Sequence, residues 1–142
     1  MVRHFASIAE VVEDMDVAVH FYRDVLGLEV EVHHDGYADV TVAGMLHFGI
    51  WSREEAAKAT YGSAEAAVRV PLGYTVGFEV DNAAATEERL SSAGIEVVQP
   101  TKTEPWGQVT SRFTSPSGAL CEVAETPWAR RITQPIVAGA EE

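Results

Sequence analysis

Glu122 has the chemically most promising surroundings in this sequence. It alternates with Leu120 and Ala124 along a strand-like segment, so its carboxylate shares a face with apolar neighbours. Such surroundings disfavour the charged form and raise a carboxylate's pKa, which suits proton transfer or recognition of a cation. An arginine nearby, such as Arg112, would act in the opposite sense by pairing with it. Trp51 and Trp106 supply flat indoles able to sandwich a planar or cationic group. The other reactive residue types promise less. His33 and His34 are consecutive beside Asp35-Gly36, so on a strand they point to opposite faces and cannot grip one ion together. His20 falls inside a helical stretch, where a surface role is expected. Cys121 faces away from Glu122 together with Val123, as a buried structural thiol would. The sequence holds no nucleophile motif, phosphate loop or zinc-type cysteine pair.

The bulk properties narrow the function classes. A formal net charge of -12 argues against nucleic acid, because phosphate binding needs clustered lysine and arginine. No apolar run is long enough to span a membrane, and the N-terminal stretch is broken by Glu10 and lacks a signal-peptide cleavage pattern. With Cys121 as its one cysteine, the chain forms no intrachain disulfide, which agrees with a cytoplasmic location. The 142 residues, 46% of them hydrophobic, suit one domain with an ordinary core.

The elements that must position Glu122 come in two copies. DMDVAVHFYRDVLGLEV (14–30) and DNAAATEERLSSAGIEV (81–97) both begin with Asp and end Gly-x-Glu-Val at the same spacing. Each reads as one helix, capped by its Asp and closed by a Gly in the left-handed conformation. A strand-like segment precedes each helix, at 5–12 and 74–80, and three more follow it. In the first copy these are LEVEVHH, YADVTVAG and MLHFGIW, with a hairpin turn at Asp35-Gly36; in the second they are IEVVQP, GQVTSRFTS and ALCEVAE, with a turn at 116–118. The order is β-α-β-β-β twice. Between the copies, Ser52 and Glu55 at capping-box spacing and Gly62 beyond predict a linker helix. The single domain over 1–142 therefore comprises a first unit at about 5–51, a linker helix at about 52–62, a second unit at about 74–125 and a tail at 126–142, where Trp128 packs on the fold or on a partner.

FYRDVLGLEV (21–30) after Asp14, echoed by PWGQVTSRFTSPSGALCEVAE (105–125), resembles the vicinal oxygen chelate superfamily of glyoxalases, bleomycin resistance proteins and extradiol dioxygenases. The resemblance implies an α+β fold in which two βαβββ modules form an open, cup-shaped mixed sheet. It also implies a ligand position on the first and last strand of each module. Counted from Asp14, Asp81, Gly44 and Gly118, these positions are Ser7, Tyr74, Phe48 and Glu122, and only Glu122 is a good metal ligand. His47 is adjacent to Phe48 and is expected on the opposite face.

The expectation is a small-molecule-binding protein of the bleomycin resistance type, without cofactor or metal, that encloses an aromatic or cationic organic ligand. Ser7, Phe48, Trp51, Tyr74, Trp106 and Glu122 are its expected lining, with Glu122 as any catalytic group. In that branch the ligand lies between two chains, so the resemblance implies a homodimer. The alternative is a divalent-metal enzyme, glyoxalase-like or dioxygenase-like, with its ion at Glu122.

Overall fold

The computed structural model describes residues 1–34, 36–44 and 47–128. Asp35 of the expected Asp35-Gly36 turn, and the tail beyond Trp128, lie outside the described residues. The chain runs β1 (Val2–Val12), α1 (Met15–His20), β2 (Glu29–His34), β3 (Tyr37–Thr41) and β4 (Phe48–Ser52). After α2 (Arg53–Tyr61) come β5 (Gly73–Val80), α3 (Ala83–Ser92), β6 (Val97–Thr103), β7 (Val109–Thr114) and β8 (Leu120–Glu125). The β-α-β-β-β order is thus present twice, with α2 as the linker helix.

Local chemistry accounts for the helix limits. The Asp14 carboxylate accepts the Val17 amide at 3.2 Å and starts α1. The helix then widens into a π-helical turn over Phe21–Val25, where the Leu26 amide donates to the Phe21 carbonyl at 3.0 Å, and Gly27 follows with φ 74°. In the second unit the cap is Asn82, which accepts the Ala85 amide at 3.0 Å, and not the expected Asp81. Asp81 is instead drawn to Arg3 at 3.2 Å across the start of β1. Ser52 caps α2 through the Glu55 amide at 3.1 Å, and Gly62 ends it with φ 83°. A 3₁₀ turn over Ala64–Arg69, not foreseen in the sequence, leads into β5.

All eight strands join one sheet in the order β2-β3-β4-β1-β5-β8-β7-β6. Each unit contributes four neighbouring strands, with one parallel pair apiece, β1 with β4 and β5 with β8. The units meet where β1 runs antiparallel to β5, with Ser7 opposite Gly77 and Glu10 opposite Tyr74.

One face of the sheet is covered at both ends by helices. Ala18, Val19 and Tyr22 pack on Ala38, Val40 and Ile50 in the first unit. In the second, Ala83 and Leu90 join Val80, Phe113 and Val123. On the other face Ala56 and Ala57 of α2 join Val11, Leu120 and Trp51, which closes one end of the hollow that the curved sheet forms. Ile50 has no exposed surface. Ile50→Ala is expected to cost about 3 kcal/mol in urea denaturation through lost burial and the cavity left behind. Val68→Ala, at an exposed site, should stay within about 0.5 kcal/mol.

Candidate functional site

The hollow face encloses a cavity of about 550 Å³ lined from both units. Its floor is the row of strands at the junction, where side chains of alternate residues point inward. Ser7 on β1 stands opposite Gly77 on β5, and Gly77 in turn pairs with Glu122 on β8. Gly77 leaves a gap in this floor. A methyl group there would stand 2.9 Å from Ser7 Oγ and 3.2 Å from Glu122 Oε2, so both polar atoms flank the same bare backbone.

Beneath Glu122 lies a buried ionic network. Arg112 on β7, opposite Glu122 in the β7–β8 register, places Nη2 3.3 Å from Glu122 Oε1 and 2.8 Å from Glu104 Oε2. It also donates to Gln99 Oε1. Glu104 further accepts from Thr110 Oγ1 at 3.2 Å and faces Lys102 at 3.4 Å. The side chains of Arg112 and Glu104 retain 3% and 1% of their exposure, whereas Glu122 keeps 18%. Glu104 thus lies under the floor, whereas Arg112, though nearly buried, and Glu122 both border the cavity. Burial pushes the Glu122 carboxyl up, opposed by the Arg112 guanidinium and reinforced by the nearby Glu104. The two sequence readings of Glu122, raised by apolar surroundings and paired with Arg112, hold together. Arg112 also lies 5.2 Å from the centre of the Trp51 ring, which fixes the indole against a cation.

The opposite wall carries a group of residues that sequence reasoning did not assemble. Tyr37 and Asp39, two apart on β3, and His47, just before β4, meet at Asp39 Oδ1. Tyr37 donates to it at 3.0 Å, His47 Nε2 lies 3.0 Å from it, and the Tyr37 hydroxyl also meets His47. His33 Nε2 reaches Asp39 Oδ2 at 2.5 Å. Burial would raise the Asp39 carboxyl, but the hydrogen bonds from His33, Tyr37 and His47 outweigh it, and the net shift is downward. Burial, then the charge of Asp39, pushes the Tyr37 phenol far up, so it stays a donor. Gly49 makes room for this arrangement, since a methyl there would lie 2.5 Å from the Tyr37 oxygen. The i, i+2 spacing of Tyr37 and Asp39 was a visible signal; the meeting with His47 depended on strand pairing.

The expected site residues divide by face. Ser7, Trp51, Trp106 and Glu122 line the cavity. Phe48 and Tyr74 do not, which corrects their expected placement. Phe48 pairs with Ile8 and packs with the α1 cluster. Tyr74 hydrogen-bonds Tyr22 at 2.9 Å and stacks on Phe48 at 6.3 Å, on the helix-covered side. The cause is strand parity: counting at a fixed offset lands one residue away on β4 and β5, and one residue reverses the face. The inward neighbours are His47 and Thr75. His33 and His34 both line the cavity rather than only flanking a turn, and Trp128 lines it too. Trp106 donates to Gln108 Oε1 at 2.7 Å, and Gln108 donates to Thr126 Oγ1 at 2.8 Å, which ties that rim together.

A divalent ion does not fit these donors. Among the described residues no three His, Cys, Asp or Glu side chains converge for a metal. Glu122 is held by Arg112, and His47 by Asp39 and Tyr37.

Residues 4–123 match the model of a family described as the Glyoxalase/Bleomycin resistance protein/Dioxygenase superfamily. No protein of the curated set matches. Among solved structures, a member of that superfamily from Vibrio splendidus 12B01 is similar with TM-score 0.58 and 19% identity, over 89% of this chain and 100% of its own. Methylmalonyl-CoA epimerase from Mycobacterium tuberculosis gives 0.58 and 21%, over 90% and 92%. A Legionella pneumophila structure described as NAD-dependent benzaldehyde dehydrogenase gives 0.61 and 16%, over 83% and 96%. At these identities the likeness is one of fold.

Because the folded chain holds the Glu122 proton more tightly than the unfolded chain does, this group's contribution to stability is fully present below the unfolded value and is lost as pH rises through the folded one. An NMR titration of Glu122 should place its midpoint above the ordinary glutamate value of about 4.3. Arg112→Met should move it higher still, since the guanidinium lowers it, and should destabilise the fold by about 3 kcal/mol because Glu104 is left buried without that partner.

Proposed function

We propose, from the premise that this chain belongs to the Glyoxalase/Bleomycin resistance protein/Dioxygenase superfamily, that it encloses a small organic molecule, aromatic or cationic, without a resident metal. The observation that carries this reading is the pairing of Glu122 with Arg112 in the floor of an aromatic-walled cavity. A carboxylate committed to a buried guanidinium is a poor metal ligand but a good hydrogen-bonding partner for an organic group.

Each lining residue has a part in such binding. Trp51, set against Arg112, offers a rigid flat surface, and Trp106 at the rim offers a second. Ser7 Oγ and Glu122 Oε2 flank the Gly77 gap, where a polar substituent can reach both. Glu122, with its raised pKa, is the group that would give or take a proton if the bound molecule reacts. Among the described residues no helix is long and apolar enough to cross a membrane; the cytoplasmic location we propose rests on the one thiol, Cys121, which leaves no possible intrachain disulfide.

A homodimer is part of the proposal. It rests on the resemblance, and a second copy would cover exposed apolar residues such as Phe5, Val17, Phe21 and Tyr74. Light scattering should give twice the chain mass, and Phe21→Asp should shift the protein toward monomer.

Protein purified without chelators should contain well below one divalent ion per chain. Near-stoichiometric metal that disappears in Glu122→Ala would overturn the metal-independent reading. In tryptophan-fluorescence titrations with an aromatic panel, Trp51→Ala should weaken binding about tenfold or more. Tyr74→Phe, on the other face, should leave it unchanged.

A further inference from the structure

The cavity presents two carboxylates to a ligand, and their electrostatic situations differ. Glu122 is paired with the permanent cation Arg112, and burial further disfavours its charge. Asp39 has two imidazoles and a phenol for partners and no arginine or lysine, and their hydrogen bonds favour its charged form. Two other acids near the floor, Glu79 and Glu104, are buried and do not line the cavity.

Asp39 also has capacity to spare. A carboxylate offers about four acceptor sites. Tyr37 and His47 engage Oδ1, and His33 engages Oδ2, so one site on Oδ2 is left. The side chain is 41% exposed and lines the cavity. Around it the rings of His33 and Tyr37 stack with centres 5.9 Å apart, and His47 closes the third side. An anion at the edge of such a cluster of packed aromatic rings is complementary to a flat cation that lies along the cluster with its N–H donors in the plane of its own ring.

We propose that Asp39, rather than Glu122, is the residue that selects the ligand's charge, and that the ligand class is a flat aromatic cation such as an aryl amidine or a protonated nitrogen heterocycle. This rests on the reading of the cavity as a binding site for organic molecules. In it, Tyr37 and the two histidines are positioning residues, which hold the carboxylate toward the cavity, and Glu122 meets the ligand's uncharged end beside Ser7.

The test uses three isosteric probes on the intact chain at pH 8: benzamidine, neutral benzamide and anionic benzoate, titrated by tryptophan fluorescence and calorimetry. Benzamidine should bind at least about tenfold more tightly than benzamide, with benzoate weakest, as the loss of one charge-assisted hydrogen bond predicts. Asp39→Asn should erase the preference for benzamidine over benzamide while leaving benzamide affinity within about threefold. Glu122→Gln should keep that preference, and this arm decides the assignment even if Asp39→Asn does not fold. Equal binding of benzamidine and benzamide would overturn the proposal and leave the cavity as a binding site. Loss of the preference in Glu122→Gln would move the role to Glu122 and equally overturn it. Failure of all three probes to bind would sink the underlying reading together with the proposal.

Discussion

The antiparallel pairing of β1 with β5 is the constraint on which the rest of this structure depends. Either unit alone offers four strands with a raw edge, a parallel pair whose outer strand lacks a partner. Joining the two edges satisfies the backbone donors and acceptors of both and makes one sheet of eight strands. It also brings Ser7, Gly77 and Glu122 into one row, although they come from three strands widely separated in the chain. A slip of one residue at this junction would turn Glu122 or Ser7 out of register with the other.

The two faces of that sheet then take different tasks. The helix-covered face buries apolar side chains in two clusters, one per unit, and this is where Phe48 and Tyr22 belong. The hollow face carries the polar groups. Their placement there is costly unless each finds a partner, and the partners are local: Gln99, Glu104 and Glu122 around Arg112 on one side, Tyr37, His33 and His47 around Asp39 on the other. The site is therefore two satisfied polar groups facing each other across aromatic walls. The difference between them is the nature of the counter-group, a buried permanent cation in one case and hydrogen-bond donors in the other. That difference, more than the count of acidic residues, distinguishes the two carboxylates.

Glycines make both groups possible. At Gly77 the missing side chain lets Ser7 and Glu122 approach one patch of backbone, and at Gly49 it lets the Tyr37 ring lie across the strand. In each case the neighbour, not the glycine's own backbone conformation, requires the small residue, since neither glycine has a positive φ.

Much of this was written in the sequence. The repeated Asp-to-Gly spacing located two helices because capping and left-handed closure are local interactions, decided within a few residues, although in the second copy Asn82 supplies the cap in place of Asp81. The succession of elements along the chain followed from alternation and turn residues, and the resemblance carried by 21–30 and 105–125 supplied the fold. The apolar surroundings of Glu122 were legible because residues two apart on a strand share a face, and its arginine because the turn at 116–118 folds β7 back on β8. What the sequence could not decide was register. One-residue offsets at β4 and β5 put His47 and Thr75 on the inward face where Phe48 and Tyr74 had been expected. Strand parity has a period of two, so an error of one residue is total, and only the hydrogen-bonded partners across the sheet fix it. The meeting of Tyr37, Asp39, His33 and His47 is of the same kind: β2, β3 and the residue that leads into β4 contribute, and their contact exists only once the sheet has formed.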